Sequence, residues 1–202
     1  MIAVLDYGIG NLRSAEKALQ RVGGDAHLVT TAEAAAGATG VVLPGVGAFG
    51  RCMEALRASG LDAVAKEAVG NGTPFLGICI GMQMLYDESE EDPGVPGLGI
   101  LPGVVRLIPG DVKRPQMQWN QLDIAKPTAL TVGLTDRPWV YFVHSYAPEA
   151  TDDVVATCEY GGPVTAMAAR DDERVWATQF HPEKSGAAGL ELLQNFVAAC
   201  SD

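Results

Sequence analysis

Cysteine and histidine are scarce in this chain of 202 residues, and the few that occur are not clustered. The four cysteines stand at positions 52, 79, 158 and 200, without any C-x-x-C pair, and the three histidines stand at 27, 144 and 181. A metal site needs ligands grouped at short spacing, so we expect no metal and no other cofactor. Dispersed free thiols are typical of a reducing compartment, and we therefore expect a cytoplasmic protein.

Positive charge is also scarce, since 14 Lys and Arg face 25 Asp and Glu and the net charge is −11. Without a basic patch, neither nucleic acid nor an anionic membrane is expected as a partner. No apolar run approaches membrane-spanning length, and the first residues meet Asp6 without a basic segment, so we expect no signal peptide. Hydrophobic content of 48% suits one soluble domain over residues 1–202.

Strand and helix patterns alternate along the first half of the chain. Apolar runs at residues 2–5, 26–29 and 41–43 predict buried strands, and helical spacing follows at 12–22, capped by Asn11, and at 51–59 and 61–69. This alternation predicts an α/β fold with a mostly parallel central sheet flanked by helices. From residue 104 the texture changes to short runs rich in β-branched and aromatic residues, which predict an antiparallel, strand-rich second half. Those runs are 104–108, 129–132, 139–146, 154–160, 164–169 and 175–180.

Cys79 stands where an apolar run, 74–78, meets the predicted start of a helix at 82–86. Gly77 precedes it by two residues and Gly81 follows it by two, which is the pattern of a nucleophile elbow. A helix N-terminus favours the thiolate, and the N–H of Ile80 is free to face an oxyanion. A free cysteine is more often only a small buried hydrophobic residue, so the pattern alone leaves both interpretations open.

A glycine-rich segment, residues 44–50, follows the third predicted strand. Loops at the carboxyl ends of parallel strands build the sites of open sheets, and Cys79 lies at another such end. Glycines let backbone amides approach a ligand, so this loop could supply a second oxyanion donor. A tight strand-to-helix turn is the simpler explanation of the same residues.

His181-Pro182-Glu183 follows the last predicted strand and offers a base with its orienter. Pro182 disfavours helix at His181, and in extended chain two residues apart point to one side, so Glu183 is expected to accept from the imidazole. His144 is the rival base but has no carboxylate two residues away, and His27 is expected to be structural. The remaining cysteines lack an elbow.

Together these segments resemble the triad-type glutamine amidotransferases, through Gly-x-Cys-x-Gly-x-Gln at 77–83 and His-Pro-Glu at 181–183. Within that fold family, the chain is similar to the glutaminase subunits of imidazole glycerol phosphate synthase over nearly its whole length. The segments that carry this finer resemblance are 6–8, 10–14, 44–49, 142–146 and 179–185.

The resemblance implies that Cys79 attacks the side-chain amide of glutamine, while His181, oriented by Glu183, serves as acid and base. It places the oxyanion at the amides of Ile80, Val46 and Gly47. It also implies glutamine contacts from a set of four residues: Gln83, Gly47, Ser145 and Tyr146.

Members of this family form a heterodimer with a (β/α)8-barrel cyclase, to which they pass ammonia. The cyclase makes imidazole glycerol phosphate and an aminoimidazole carboxamide ribotide, and the glutaminase is weak until the loaded partner binds. The interface residues carried over are Asn11, Trp119, Asn120 and Lys184. The family often has His and Gly where this chain has Gln116 and Gln118, a departure that bears on docking.

Three alternatives stay open. The first is the glutaminase of another pathway, of the anthranilate or aminodeoxychorismate type. The second is a stand-alone cysteine hydrolase. The third is a regulatory protein with Cys79 as a sensor thiol, against which His181, Glu183 and Gln83 argue because a sensor needs none of them.

Overall fold

The computed structural model describes residues 1–201, and its first half alternates strands with helices as expected. The elements are β1 (Ile2–Leu5), α1 (Leu12–Arg21), β2 (Ala26–Val29), α2 (Ala32–Ala35), β3 (Gly40–Gly45), α3 (Phe49–Ser59), α4 (Leu61–Gly70), β4 (Phe75–Cys79) and α5 (Ile80–Gln83). The third strand is longer than expected, because Pro44 and Gly45 stay paired with β4 beyond Leu43.

The second half is rich in strands and ends in a long helix. It comprises β5 (Glu88–Ser89), β6 (Val104–Leu107), β7 (Gln116–Gln121), β8 (Asp123–Ile124), β9 (Trp139–His144), β10 (Tyr146–Pro148), β11 (Val154–Glu159), β12 (Pro163–Arg170), β13 (Val175–Thr178) and α6 (Gly186–Ala199). Short 3-10 turns lie at Ala129–Thr131, Asp171–Glu173 and Pro182–Lys184.

One eight-stranded sheet forms the centre, in the order β2-β1-β3-β4-β13-β12-β11-β8. The first five of these strands run parallel, and the last three continue the sheet antiparallel. Two smaller sheets, β10-β6-β5 and β7-β9, lie beside it. The expected architecture, a mostly parallel sheet with an antiparallel second half, is confirmed.

The central strands are buried on both faces, as their continuous apolar sequences require. Every residue of β1, β3, β4 and β13 is buried, and Trp176 and Phe196 meet edge to face between the sheet and α6. This packing fixes the carboxyl ends of β3 and β4 side by side, with Gly45 opposite Cys79. The parallel sheet thereby brings the glycine-rich loop to the cysteine.

One expected strand is absent, and one strand of six residues was not expected. Residues 129–131 form a 3-10 turn, because the Thr131 hydroxyl accepts a hydrogen bond from the N–H of Thr128 and donates one to its carbonyl, which closes the chain locally. The strand β7 was not expected, because its one fully buried side chain is polar Gln116 and its apolar Met117 and Trp119 are exposed. Among residues 1–201, no helix is both long and apolar enough to cross a membrane.

Candidate active site

Cys79 occupies a strained turn between β4 and α5, with φ 57° and ψ −111°. A non-glycine residue rarely holds a positive φ, and such strain persists only where the surroundings enforce it. The flanking glycines are required sterically, since a Cβ on Gly81 would lie 1.8 Å from the carbonyl oxygen of Leu43 and one on Gly77 2.9 Å from that of Gly81. The elbow expected from the sequence is therefore present in its geometry.

The helix after the elbow is much shorter than expected. It begins at Ile80 rather than Met82 and ends at Gln83, because the carbonyls of Met84 and Leu85 accept hydrogen bonds from Leu98 and Ile100 instead of continuing the helix. A single turn carries little of the macrodipole that was expected to favour a thiolate. The electrostatic support for negative charge on the sulphur has to come from side chains.

His181 and Glu183 form that support. Their Nδ1 and Oε1 atoms are 2.8 Å apart, and the side chains are only 2% and 3% exposed. The expectation of extended chain through Glu183 is wrong, because Pro182–Lys184 is a 3-10 turn, yet the turn still lets the carboxylate meet the ring. The Ser185 hydroxyl donates to the carbonyl of His181 at 2.6 Å and holds the turn closed.

The environment of His181 favours its charged form. Burial by itself lowers the pKa of the imidazole, but the neighbouring Cys79 thiol and the Glu183 carboxylate outweigh burial and raise that pKa to about 10. The other ring nitrogen, Nε2, is buried without a conventional hydrogen bond to residues 1–201. The imidazolium beside the sulphur thus has Nδ1 bonded to Glu183 and Nε2 without a conventional hydrogen bond within these residues.

Gln179 is a further contact of the sulphur that sequence reasoning did not single out. This fully buried side chain donates from Nε2 to the Cys79 Sγ at 3.8 Å, and its Oε1 accepts from Gln83 Nε2 at 3.0 Å. Gln83 also donates to the carbonyl of Tyr146 at 2.9 Å. The only sequence signal was its place two residues before His181.

A cavity of about 190 Å³ opens beside the sulphur. It brings together six of the expected residues and four that were not assigned to it: Gly47, Cys79, Ile80, Gln83, Ser145 and Tyr146, with Glu91, Pro115, Val143 and His144. The sulphur is also 4.0 Å from the carbonyl oxygen of Val143. Val46, which was also expected at the site, does not line this cavity, although its neighbour Gly47 does.

Glu91, which the sequence analysis did not assign to the site, lines the cavity. Its Oε2 accepts from the N–H of Phe49 at 2.9 Å, and Asp92 accepts from Gly50 at 2.7 Å, so both carboxylates bind the N-terminus of α3. Partial burial raises the pKa of Glu91. Nothing in the local sequence indicates a partner 42 positions earlier in the chain.

The glycine-rich loop packs directly on the elbow. A Cβ on Gly45 would lie 3.0 Å from the N of Gly81, so no side chain fits there. The carbonyl of Val46 accepts from the Cys52 thiol at 3.3 Å. Since the C=O and N–H of one peptide point in opposite directions, the N–H of Gly47 is directed away from Cys52.

His144 is buried near the same cavity but has both ring nitrogens engaged. Nδ1 is 2.8 Å from the carbonyl oxygen of Tyr146, and Nε2 is 3.1 Å from Gln116 Oε1. Burial, assisted by the charge of His181, lowers its pKa to about 4. A neutral ring held by the backbone and an amide is a structural group, and His27 lies exposed beside Asp25 at the far end of the sheet.

The four residues expected at a partner interface lie on three segments: Asn11 before α1, Trp119 and Asn120 on β7, and Lys184 in the turn before α6. Trp119 is 48% exposed on β7, stacks edge to face on Tyr141 and lies close to Gly186 at the start of α6, next to exposed Lys184. Asn120 donates to the carbonyl of Glu159 at 2.9 Å. The expected cap by Asn11 is wrong, because its Oδ1 accepts from the Ser14 hydroxyl rather than from a helix N–H.

The family model described as glutamine amidotransferase class-I matches residues 3–200. The chain belongs to the class-I glutamine amidotransferases. A relative from Methanothermobacter thermautotrophicus, named imidazole glycerol phosphate synthase subunit HisH, is 49% identical over 199 residues, 98% of each chain. A relative of the same name from Bacillus cereus is 46% identical over 97% of this chain and 93% of its own.

Two solved structures share the fold at low identity. One titled glutamine amidotransferase superposes with a TM-score of 0.78 at 22% identity, covering 100% of this chain and 99% of its own. The PurLQS structure from Thermotoga maritima gives 0.77 at 20% identity, over 98% and 97%. In this amidotransferase, residues 1–201 contain no group of three or more His, Cys, Asp or Glu placed to hold a metal ion.

Proposed function

We propose that the chain is the glutaminase subunit of an imidazole glycerol phosphate synthase, and that Cys79, His181 and Glu183 carry out the hydrolysis of glutamine. The observation that supports these roles is one buried imidazole between a carboxylate and a thiol, with the thiol on a strained elbow beside a cavity. Such a nucleophile, base and orienter perform acyl transfer in unrelated folds.

In the first half-reaction the sulphur of Cys79 attacks the amide carbon of glutamine and forms a C–S bond. The charge that develops on the oxygen is held by the N–H groups of Ile80 and of the loop at Val46 and Gly47. The His181 imidazolium gives its proton to the departing nitrogen, so that ammonia leaves and a glutamyl thioester remains.

In the second half-reaction water attacks the thioester carbon. Neutral His181 accepts one proton from that water, and the C–S bond breaks with its electron pair going to the sulphur of Cys79. The new carboxyl group gives its proton to solvent, and glutamate leaves. Glu183 keeps the ring oriented in both halves and stabilises its positive charge. The raised pKa of His181 supports this sequence, because the ring then begins each cycle as the acid.

The cavity suits a small zwitterion such as glutamine. Its wall carries the Glu91 carboxylate and the side chain of Gln83, whose buried Oε1 has no hydrogen-bond partner within residues 1–201. An unsatisfied buried acceptor is costly unless a ligand supplies a donor. We assign the Glu91 carboxylate and Gln83 Oε1 as acceptors for the α-ammonium group of glutamine. Gly47 and the backbone at Ser145 and Tyr146 complete the contacts.

The partner, a cyclase, is assigned to the outer face of the two-stranded β7-β9 sheet. Directly paired residues of antiparallel strands share a face, so Met117, Trp119 and Trp139 lie together on one side, 62%, 48% and 54% exposed. An exposed apolar patch of this kind marks an interaction surface. The carbonyl oxygen of Val143 in the same sheet is 4.0 Å from the sulphur of Cys79, so a partner bound here adjoins the reaction.

The test is release of glutamate from glutamine, by the chain alone and by the chain with a histidine-pathway cyclase that holds its ribonucleotide substrate. We expect strong stimulation by the loaded cyclase. Cys79→Ala should lower the rate roughly 10⁴-fold or more, because the nucleophile is gone, while the fold is kept. Cys200→Ala removes another buried thiol, at the end of α6, and serves as the matched control.

Each other outcome contradicts part of the proposal. Turnover retained in Cys79→Ala means that another group is the nucleophile. High activity that ignores the cyclase indicates a stand-alone cysteine hydrolase. Stimulation by an anthranilate or aminodeoxychorismate synthase, and not by the cyclase, moves the subunit to another pathway.

A further inference from the structure

We propose that Gln116 is a positioning residue for the glutamine cavity: by donating to Nε2 of His144 it fixes this ring as the Nδ1–H tautomer, which shares with Gln83 the task of holding the carbonyl of Tyr146. The inference rests on the proposed function for the identity of the ligand. Its two central residues, Gln116 and His144, have no role in the proposed reaction or in the proposed partner surface.

The starting point is a chain of buried hydrogen bonds from β7 to the cavity. Gln116 is fully buried and His144 is 5% exposed, so neither can rely on water. The ring is 3.1 Å from the Gln116 side chain on one side and 2.8 Å from the Tyr146 carbonyl oxygen on the other. Phe142 covers the ring with its own at 5.6 Å between centroids.

The donor and acceptor roles follow from the number of protons on the ring. A carbonyl oxygen can only accept, so Nδ1 of His144 must carry a proton. The pKa of about 4 keeps the ring neutral at pH 7, which leaves Nε2 as a bare acceptor. Its neighbour Gln116 therefore has to present its amide NH2 to this nitrogen, since two acceptors facing each other would be costly.

Cys158 completes the network on the far side of Gln116. With its NH2 toward His144, the Gln116 side chain turns Oε1 toward the Cys158 sulphur, 3.6 to 4.0 Å from the end of the amide. Burial raises the pKa of Cys158 to about 11, so the thiol keeps its proton and can donate. One arrangement thus satisfies the thiol, the amide and the ring together.

The end of this chain is the wall of the cavity. The Tyr146 carbonyl accepts from His144 Nδ1 and from Gln83 Nε2, at 2.8 and 2.9 Å. Two donors fix the orientation of that peptide, and with it the adjoining backbone at Ser145 and the side-chain amide of Gln83. If Gln116 is lost, Nε2 loses its donor and the ring loses one of its two anchors, so the Nδ1–H that His144 donates to the Tyr146 carbonyl is held less firmly in place.

The direct test reads the tautomer of His144 by NMR of the full chain with 15N-labelled histidine rings at pH 7. There are three histidines, so the spectrum is simple, and His144→Gln identifies the signals of residue 144. We expect protonation at Nδ1 and a bare, hydrogen-bonded Nε2. In Gln116→Glu the carboxylate can only accept, so we expect a proton to appear on Nε2.

The functional readout is the split between KM and kcat for glutamate release in the complete synthase. Gln116→Met keeps the side-chain length but removes the donor, and we expect KM for glutamine to rise about tenfold with kcat within about threefold of its original value. Gln194→Met makes the same substitution at an exposed position of α6 and should change neither quantity.

Three results overturn the proposal: a wild-type ring protonated on Nε2, a Gln116→Glu ring with no added proton there, or a folded Gln116→Met variant whose KM stays within about twofold. If Gln116→Met does not fold, the first two spectra decide. Absence of glutamate release by the wild type would instead refute the proposed function, and the tautomer would still be measurable.

Discussion

Two histidines lie close to the same cavity, both nearly inaccessible to solvent, and the structure gives them opposite properties. Burial lowers the pKa of both rings. His144 contacts a carbonyl and an amide, which are neutral, and its pKa falls to about 4. His181 contacts a carboxylate and a thiol, and its pKa rises to about 10. Partners, rather than depth, separate an acid–base group from a structural one.

The largest expected effect is the difference in activity between variants of the two histidines. His181→Gln removes the proton donor and acceptor, and we expect kcat/KM for glutamine to fall about 10³-fold or more. His144→Gln keeps a polar side chain against Gln116 and should lower kcat/KM less than about tenfold, mainly through KM. Steady-state kinetics of the two variants, with circular dichroism to verify folding, make the measurement. Equal losses would mean that the assignment of the base is wrong.

A smaller effect tests whether the charge of Glu183, the carboxylate partner of His181, is needed. Glu183→Gln keeps an acceptor for Nδ1–H but removes the charge that stabilises the imidazolium, so we expect a rate loss of roughly 10²-fold, less than for His181→Gln. The alkaline limb of the pH–rate profile should move to lower pH, because the pKa of His181 falls.

The matched control for this variant is Glu54→Gln, which removes an exposed carboxylate from α3. It should leave both the rate and the profile unchanged. A Glu183→Gln variant as impaired as His181→Gln, or one with an unshifted profile, would show that the carboxylate does not act through the charge of the ring.

The sequence indicated His181 and Glu183 because their relation is local, two residues apart. The elbow at Cys79 could be predicted for the same reason, since the need for Gly77 and Gly81 is visible within five residues. The main sheet also followed from local patterns, as continuous apolar runs mark strands that are buried on both faces.

What could not be predicted depends on contacts between distant segments. The partner of His144 is Gln116, 28 residues away on a strand whose buried side chain is polar, so no alternation of apolar residues marks it. Glu91 is held at the cavity by the N–H of Phe49 at the start of α3, 42 positions earlier in the chain. The helix after Cys79 stops short because a later loop binds its carbonyls. Tertiary contacts of this kind leave no local signal.

The smallest effect concerns the pH dependence of the free energy of unfolding, which has opposite signs for His144 and His181. The unfolded ring has the ordinary pKa of 6.5 and the native one about 4, so between these values the unfolded chain binds more protons. The contribution of this ring to stability is complete above pH 6.5 and is lost as the pH falls toward 4. His181, with its raised pKa, behaves oppositely: its contribution is complete below 6.5 and is lost as the pH rises toward 10.

Unfolding by urea at pH 7 and at pH 4.5, for the wild type and for His144→Gln, isolates this term, because the carboxylates common to both chains cancel in the difference. We expect the wild type to lose roughly 2 kcal/mol more than the variant between these two pH values. His27→Gln, an exposed ring paired with Asp25, should change the difference by less than about 1 kcal/mol. A wild-type curve parallel to that of His144→Gln would mean that the ring has the same pKa in the native and unfolded states, and the contrast between the two buried rings would then be lost.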